Sequence, residues 1–576
     1  MKKGNTLLER WVVIAKKADF YGIAERFGID PVTARVIRNR DIVGDEAIRE
    51  YLKADRSCFL DPCGLTDIEP AAQILKDRIS LNRKIRVIGD YDIDGIMASY
   101  ILKKGLLRLG ADVDVRIPNR MTDGYGINEQ MIEDAASEGV DTIVTCDNGI
   151  SAVSAVSRAK ELGMTVIITD HHEMGTELPP ADAVIDPKRP DDHYGNSELC
   201  GAAVAWKLIL SLGADPDMEL LPFAAFATVG DIMSLTGENR AIVKEGILAI
   251  RSSGHPGLNA LAQVSQMDLK KTEAVHIGFI LGPCLNASGR LDSAMRALDL
   301  LEADSREEAL KTAYELKELN DSRKSLTAKG EELAFRIVEE NGYQKMKVIV
   351  LYLPDVHESI AGIIAGRVRE QYARPAIVLT AGEQCVKGSG RSTENYSMYE
   401  ELCRVSDLLI KFGGHPMAAG LSLEEEHIDE LRRRLNENCT LMEEDLIPKI
   451  RIDVPMHIDY VTEALIKDLE KLAPYGKGNE KPVFADAHVF CDDLRLFGSE
   501  RNYLRMRVWH MEECEDSDGK KTFSVRGNPL RAVCFRKGAE LYERVKENPH
   551  VSLIYEPQIN EYNGMRSVQL LITHFK

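Results

Sequence analysis

IRVIGDYDIDG (Ile85–Gly95), TIVTCDNG (Thr142–Gly149) and TVIITDHH (Thr165–His172) are three short β-branched runs, and each ends in acid. The runs have the length and composition of buried strands, and helical patterns such as ISAVSAVSRAKELG (Ile150–Gly163) lie between them. Such alternation, from about Ile85 to Leu235, predicts βαβ units and a parallel sheet. Ligands of open α/β sheets bind beyond the carboxyl ends of the strands, so the three corners aim their acids at one place. Asp90, Asp92 and Asp94 stand at i, i+2 and i+4. In an extended segment that spacing puts three carboxylates on one face, with Gly95 allowing a sharp turn into the following helix. The other corners add Asp147, Asp170, His171 and His172.

A lone aspartate after a strand is usually a turn residue or a helix N-cap, and a lone histidine is an ordinary hydrogen-bonding group. Three such corners in one βαβ region are a different matter. Clustered carboxylates repel one another unless cations hold them. A mixed carboxylate and imidazole set suits Mn, Mg or Fe better than structural zinc. Paired ions of that kind can generate hydroxide and stabilise in-line displacement at phosphorus.

Length and composition bound the rest. At 576 residues the chain should hold about four domains, on a prior of ~150 residues each. Its 44% hydrophobic and 29% charged residues are those of an ordinary globular protein. Eleven cysteines without a CxxC spacing argue against a disulfide framework or a zinc site. The apolar run Trp11–Ala15 is too short for a signal peptide and no stretch reaches membrane-span length. The expectation is a cytoplasmic protein with no membrane partner, and monomer is the default state. A net charge of −19 argues weakly against nucleic acid, because total charge ignores its distribution.

Five regions are expected. Residues 1–80 read as helical, including one helical pattern over Arg38–Asp55, and residues 81–240 hold the parallel sheet. Residues 241–343 are a helical connector. Its last stretch opens with a Ser305/Glu308 capping box and stops at Asn341–Gly342, which predicts a helix of roughly 50 Å at ~1.5 Å per residue. Strand–helix alternation resumes over 344–447, and 448–576 reads as a small antiparallel barrel with Met511–Thr522 as a solvated loop. GSGRS (Gly388–Ser392) and FGGHPMAAG (Phe412–Gly420) read as glycine-rich turns whose backbone N–H groups, with Arg391, can approach phosphate; closing a tight turn is the ordinary reading of either.

DYDIDG, CDNG, DHH and TVGDIMSL (Thr228–Leu235) resemble the four motifs of the DHH phosphoesterase superfamily, and the GGH segment resembles its DHHA1 substrate-binding domain. The resemblance adds Asp231. It implies that Asp90, Asp92 and Asp147 hold one ion, and that Asp94, Asp147, His171 and Asp231 hold the other. His172 would support the site or meet the scissile phosphate, with Asp170 orienting the histidines. Further segments are similar to the RecJ group of single-strand-specific exonucleases: IPNRMTDGYG (Ile117–Gly126), LGPCLNASGRLDSA (Leu281–Ala294), HESIAGIIAGR (His357–Arg367), YGKGNEKPVF (Tyr475–Phe484) and PQINEYNGMRSVQL (Pro557–Leu570).

That resemblance implies an α/β fold: a DHH domain, a long helix, a smaller α/β DHHA1 domain and a C-terminal OB-like barrel. It implies an exonuclease using two Mn²⁺ or Mg²⁺ ions. The enzyme would degrade single-stranded DNA 5′ to 3′ into 5′-mononucleotides by metal-hydroxide attack on the terminal phosphodiester, in recombination and repair. Arg120 would meet the 5′-phosphate, Arg290, Ser389 and Arg391 the strand, and Gly413, Gly414 and His415 the phosphates, although surface ion pairs are the ordinary reading of arginines. Single-strand-binding protein and a helicase are the implied partners. Tyr503, Trp509, Phe535 and Tyr562 are candidates for base stacking, against the commoner role of core aromatics. Cys284 stands where many of these proteins carry arginine. The rival readings are a DHH phosphoesterase acting on short oligoribonucleotides or small nucleotides, a pyrophosphatase-like relative and a non-catalytic replication scaffold. The terminal barrel disfavours the first two and the intact acids disfavour the third.

Overall fold

The computed structural model describes residues 9–120, 123, 124, 126–382, 384–515, 521–562 and 564–576, and the structural statements below concern those residues. They form two compact units, one built from Asp55–Met233 and Glu238–Pro448, the other from Arg10–Ala54, Ser234–Gly237 and Lys449–Lys576.

The first unit opens on a five-stranded, wholly parallel sheet. Its strands are β1 (Ile85–Ile88), β2 (Val113–Arg116), β3 (Thr142–Cys146), β4 (Thr165–Thr169) and β5 (Ala183–Ile185), in the order β2–β1–β3–β4–β5. All residues of β1, β3, β4 and β5 are buried, as expected of parallel strands covered on both faces, which is why they read as unbroken apolar runs. Ile88 pairs with Thr145 and Cys146 with Thr169, so the strands end nearly level. The acids that follow them therefore emerge along one edge.

Helices α1 (Ile93–Arg108), α2 (Gly201–Ser211) and α3 (Leu221–Gly230) pack together behind that edge. Farther along the chain come α4 (Gly282–Leu291) and the 35-residue α5 (Arg306–Glu340), which spans roughly 50 Å at ~1.5 Å per residue. Ser305 caps α5 by accepting the Glu308 N–H, and Gly342, at φ 70°, turns the chain away beyond its end. The connector is not a separate body. Ala334 and Val338 of α5 share a core with Ile360 and Ile364 of α6 (Glu358–Tyr372), inside the next domain.

That domain carries a mixed sheet of β6 (Ile349–Tyr352), β7 (Ala376–Ala381), β8 (Val386–Arg391), β9 (Leu409–His415) and β10 (Ala418–Leu423), in the order β9–β10–β8–β7–β6. GSGR and FGGH, expected in turns, lie within β8 and β9 instead. At Gly388 the glycine serves close packing: a Cβ there would come within 2.4 Å of the Leu379 side chain on the neighbouring strand.

In the second unit, β11 (Phe484–Phe497), β12 (Tyr503–Glu515), β13 (Lys521–Cys534), β14 (His550–Tyr562) and β15 (Met565–Phe575) close into a barrel in the order β11–β12–β13–β15–β14, with β14 pairing back to β11. The barrel is not purely antiparallel, because β13 and β15 run parallel. Most of the expected loop at Met511–Thr522 is strand, and residues 516–520 lie outside the described residues, as does the Tyr562 side chain.

Residues 1–80 do not form one region. The strand Arg10–Val13 pairs with Lys449–Ile452, and the helical pattern over Arg38–Asp55 splits into two helices, Pro31–Asn39 and Asp45–Lys53, at Gly44 (φ 91°). Helices of nine residues are marginal alone. They are held by tertiary burial: Val36, Ile37 and Ile48 enter the core of Val454, Ile466 and Leu469, and Arg40 pairs with Asp453 where both side chains are 9% exposed.

Candidate active site

The DYDIDG corner is not one extended segment. β1 stops at Ile88, α1 starts at Ile93, and Asp92 is its N-cap, accepting the N–H groups of Asp94 (2.9 Å) and Gly95 (3.3 Å). Asp94 thus belongs to the first helical turn and reaches the other acids by a different route. Its carboxylate is buried and accepts the Gly201 and Ala202 N–H groups at 2.6 and 2.7 Å, where the N-terminal end of α2 favours negative charge. Gly95 is a helix residue, not a turn. A Cβ there would lie 2.4 Å from the Asp90 carbonyl oxygen, so its absence lets the Asp90 backbone sit against the helix.

Asp147 follows β3 in the left-handed region at φ 59°, a conformation that surrounding structure must enforce in a non-glycine residue. Its N–H donates to Thr169 O at 3.0 Å, and a Cβ at Gly201 would meet its own Cβ at 2.7 Å, so α2 presses directly on it. His171 Nε2 lies 3.1 Å from Asp147 Oδ1, 3.5 Å from Asp94 Oδ2 and 3.8 Å from Asp231 Oδ2. His172 Nδ1 lies 2.7 Å from Asp170 Oδ1. Asp170 therefore holds the His172 ring by a hydrogen bond, whereas it accepts the His171 backbone N–H at 2.8 Å and acts on that ring through its charge. Asp231 closes the site from the C-terminal end of α3.

Burial and mutual repulsion shift the charges of this arrangement. Burial first, and then Asp94, Asp92, Asp90 and Asp231, raise the Asp147 carboxyl well above its usual range. Burial and Asp92 do the same to Asp90, and push Asp94 up to about 6. Asp231 is pushed up to about 7 by burial and then by Asp94. Burial, then the charge of His172, lower the His171 pKa, leaving a neutral imidazole able to act as a ligand. Burial is also the largest influence on His172, but the Asp170 hydrogen bond and nearby acids outweigh it and bring it up to about 9.

The residues fit divalent cations. The ligand atoms of Asp90, Asp92 and Asp147 lie within 4.8 Å of one another, as do those of Asp94, His171 and Asp231 and those of Asp147, His171 and His172. Asp90 Oδ1 is buried without a hydrogen-bond partner, and a hard oxygen set with one or two imidazoles suits Mn²⁺ or Mg²⁺.

A positive cluster accompanies the acids. The Arg120 guanidinium lies 5.2 Å from the ring centre of Tyr91, the residue between Asp90 and Asp92. Arg290, in the last turn of α4, donates to Ser359 O at 2.8 Å. Arg391 donates to Ser389 Oγ at 3.0 Å, and a Cβ at Gly362 of α6 would come within 2.6 Å of its guanidinium. Burial, then the like charges of Arg120 and Arg323, lower Arg290 to about 10. Gly413, Gly414 and His415 sit on the exposed β9–β10 hairpin. His415 faces Ala418, which faces Arg391, so His415 lies two strands, about 10 Å, from the arginine.

On the barrel, Phe535 and Tyr503 form an aromatic cluster with Phe497, at ring separations of 5.4–6.1 Å, and Phe535 is 45% exposed. Trp509 Nε1 is instead buried.

Sequence reading missed Asp186. AVIDP is a fourth apolar run ending in acid, and Asp186 follows β5 on the same sheet edge, buried, with one carboxylate oxygen lacking a partner. Burial first pushes it up to about 7, and both Asp170 and His172 influence it. The signal was present in the sequence, but the run is only three residues of strand.

Three family models match: the DHH family N-terminal domain over residues 84–228, the DHHA1 domain over 345–440 and the RecJ OB domain over 452–574. The chain is 35% identical over 568 residues to the single-stranded-DNA-specific exonuclease RecJ of Bacillus subtilis, covering 98% of this chain and 70% of that protein. To the Escherichia coli enzyme of the same name it is 34% identical over 574 residues, covering 94% of this chain and 95% of that one. Its fold matches a crystal structure of RecJ in complex with Mn²⁺ from Thermus thermophilus, at a TM-score of 0.83 and 28% identity, over 98% of this chain and 79% of the other. The same protein with Mg²⁺ matches at 0.76.

Proposed function

This chain belongs to the RecJ family, and on that premise we propose that it is a metal-dependent exonuclease that degrades single-stranded DNA 5′ to 3′ into 5′-mononucleotides, in recombination and repair. The observation that carries this reading is the fusion of metal-capable groups around Asp147 and His171, with an arginine cluster beside them.

In this reading Asp90, Asp92 and Asp147 would hold one ion, and Asp94, Asp147, His171 and Asp231 would hold a second. When bound, a Mn²⁺ or Mg²⁺ pair supplies Lewis-acid polarisation of the phosphate and a nucleophile at neutral pH. The chain's own groups do the rest. Asp94 is fixed by the α2 terminus and Asp147 by its strained backbone, so neither has to reorganise when charge develops. His172, held as an imidazolium by Asp170, offers positive charge to the scissile phosphate. Arg120 receives the 5′-phosphate, and Arg290, Ser389 and Arg391 hold the strand while the 3′-oxygen leaves. Gly413, Gly414 and His415 extend the phosphate contacts. The barrel, with Tyr503 and Phe535 at an exposed aromatic cluster, supports binding of strands longer than the cut needs.

Single-strand-binding protein and a helicase are the proposed partners, since a helicase generates single strands and a single-strand-binding protein keeps them from re-pairing, and the proposed state is a cytoplasmic monomer. No helix among the described residues is long and apolar enough to cross a membrane.

The test offers the purified protein Mn²⁺ with 5′-phosphorylated single-stranded DNA, blunt duplex, short RNA and a nucleotide bisphosphate in parallel. The expected result is mononucleotide release from the single strand far ahead of the others. Preference for the bisphosphate or the short RNA would move the chain to the small-substrate branch of the superfamily.

A further inference from the structure

Helices α4, α5 and α6 pack on one another, and each lies at an arginine: Arg290 on α4, Arg323 on α5, and Arg391 over Gly362 of α6. Arg323 has no part in the reading above. Its Nε and Nη2 donate to Asn320 Oδ1 at 3.1 and 2.9 Å. Asn320 is 1% exposed, and its Nδ2 donates to Cys284 Sγ of α4 at 3.3 Å. Arg323 is thus aimed by a buried amide that is itself anchored on the neighbouring helix.

The chain has 92 acids against 73 lysines and arginines, so a carboxylate is easily found by a surface arginine. Arg296, nearby in the chain, pairs with both Asp292 and Glu315. Among the described residues, Arg290, Arg323 and Arg391 form no ion pair with a carboxylate, although each is at least half-buried; Arg290 feels the like charges of Arg323 and Arg391, opposed in part by Asp92. Like charges gathered and partly desolvated with no carboxylate paired to them are costly unless an anion completes them. Planar guanidinium forks match phosphate oxygens.

We propose that Arg323 holds a backbone phosphate of the bound single strand, and that Asn320 is the positioning residue that sets its guanidinium in place. This rests on the reading of the chain as a single-strand exonuclease and adds a subsite to it.

The experiment compares wild type, R323Q, R323K and K329Q, the last removing an exposed charge from the same helix. Each receives Mn²⁺ and either a 5′-phosphorylated oligothymidylate of ~20 nucleotides or the dinucleotide, across a salt series. For R323Q on the long strand, KM should rise about tenfold, the ratio that ~1.4 kcal/mol of charge-assisted contact gives, with a smaller change in kcat. Its slope of log affinity against log salt should flatten by ~0.7, the value of one phosphate contact on a single strand. The loss should grow with strand length. R323K should recover the slope without all of the affinity, and K329Q should match wild type. An unchanged slope and KM in R323Q would overturn the proposal, as would equal losses on dinucleotide and long strand. If wild type itself neither binds nor cuts the long strand, the exonuclease reading fails first and takes this inference with it.

Discussion

The acid corner and the arginine cluster are mirror images in charge and opposites in construction. Both gather like charges in part-buried surroundings, and in the proposed reading each is half of a site that a ligand completes: cations for Asp90, Asp92, Asp94, Asp147 and Asp231, and an anionic strand for Arg120, Arg290, Arg323 and Arg391. The acids come mainly from one sheet edge, where level parallel strands deliver them together. The arginines come from a loop, two helix surfaces and a strand of another sheet. One region is set by a repeated local rule and the other by tertiary packing alone. The difference predicts that the two fail differently when a residue is removed.

Asp147→Ala should have the largest effect. It removes the ligand common to both proposed ions, and single-strand cleavage should fall by at least ~10³-fold, while affinity for the strand stays within a few-fold. A gel-based nuclease assay beside an anisotropy titration separates the two readouts. Equal loss of both would mean that the acid corner organises DNA binding too, and the division of labour would collapse. Next is Arg391→Gln, which should raise KM by roughly 30-fold for the ~2 kcal/mol of a charged contact, with a flatter salt dependence and little change in metal affinity. A kcat loss as large as that of Asp147→Ala would place Arg391 in the chemistry instead.

The smallest expected effect is on stability against pH. Asp94 and Asp231 have folded-state pKa values of about 6 and about 7, above the unfolded carboxyl range. Carboxyls shifted upward stabilise the metal-free fold only while protonated, so that contribution is complete below about pH 3.8 and is lost as pH rises through about 6 and 7. His172 adds a similar trend at higher pH, its charged form being lost as pH rises through about 9. The rise in Tm on adding Mn²⁺ should therefore grow from pH 5 to pH 8, because deprotonated ligands bind better and strain the empty site more. A Tm shift independent of pH would contradict the assignment of these carboxyls as ligands.

The sequence was most informative where chemistry follows a periodic element. Asp90, Asp147 and His171 are legible because each follows a β-branched run, and the strand ends do converge. Asp94 does lie beside His171 and Asp231, but not through strand alternation, since the i, i+2, i+4 spacing straddles a helix start. Asp231 carries no periodic signal, because it caps an ordinary apolar helix, and only the family motif selected it. The glycines of GSGR and FGGH have the composition of turns but lie in strands, and at Gly388 the glycine marks a close neighbour, Leu379. The partners of Ile37 and Ile48 lie more than 400 residues away, so no local pattern could attach the N-terminal helices to the barrel unit. Arg323 escaped for the same reason: its meaning comes from Asn320 and Cys284 and from its forming no ion pair with a carboxylate among the described residues.

The central claim is a two-ion site built on Asp147, and Mn²⁺ stoichiometry by isothermal titration calorimetry tests it most directly. Wild-type protein should bind two ions per chain, and Asp147→Ala should lose high-affinity binding of both while retaining its far-ultraviolet circular dichroism. A correctly folded Asp147→Ala protein that still binds two ions with wild-type affinity would contradict the account.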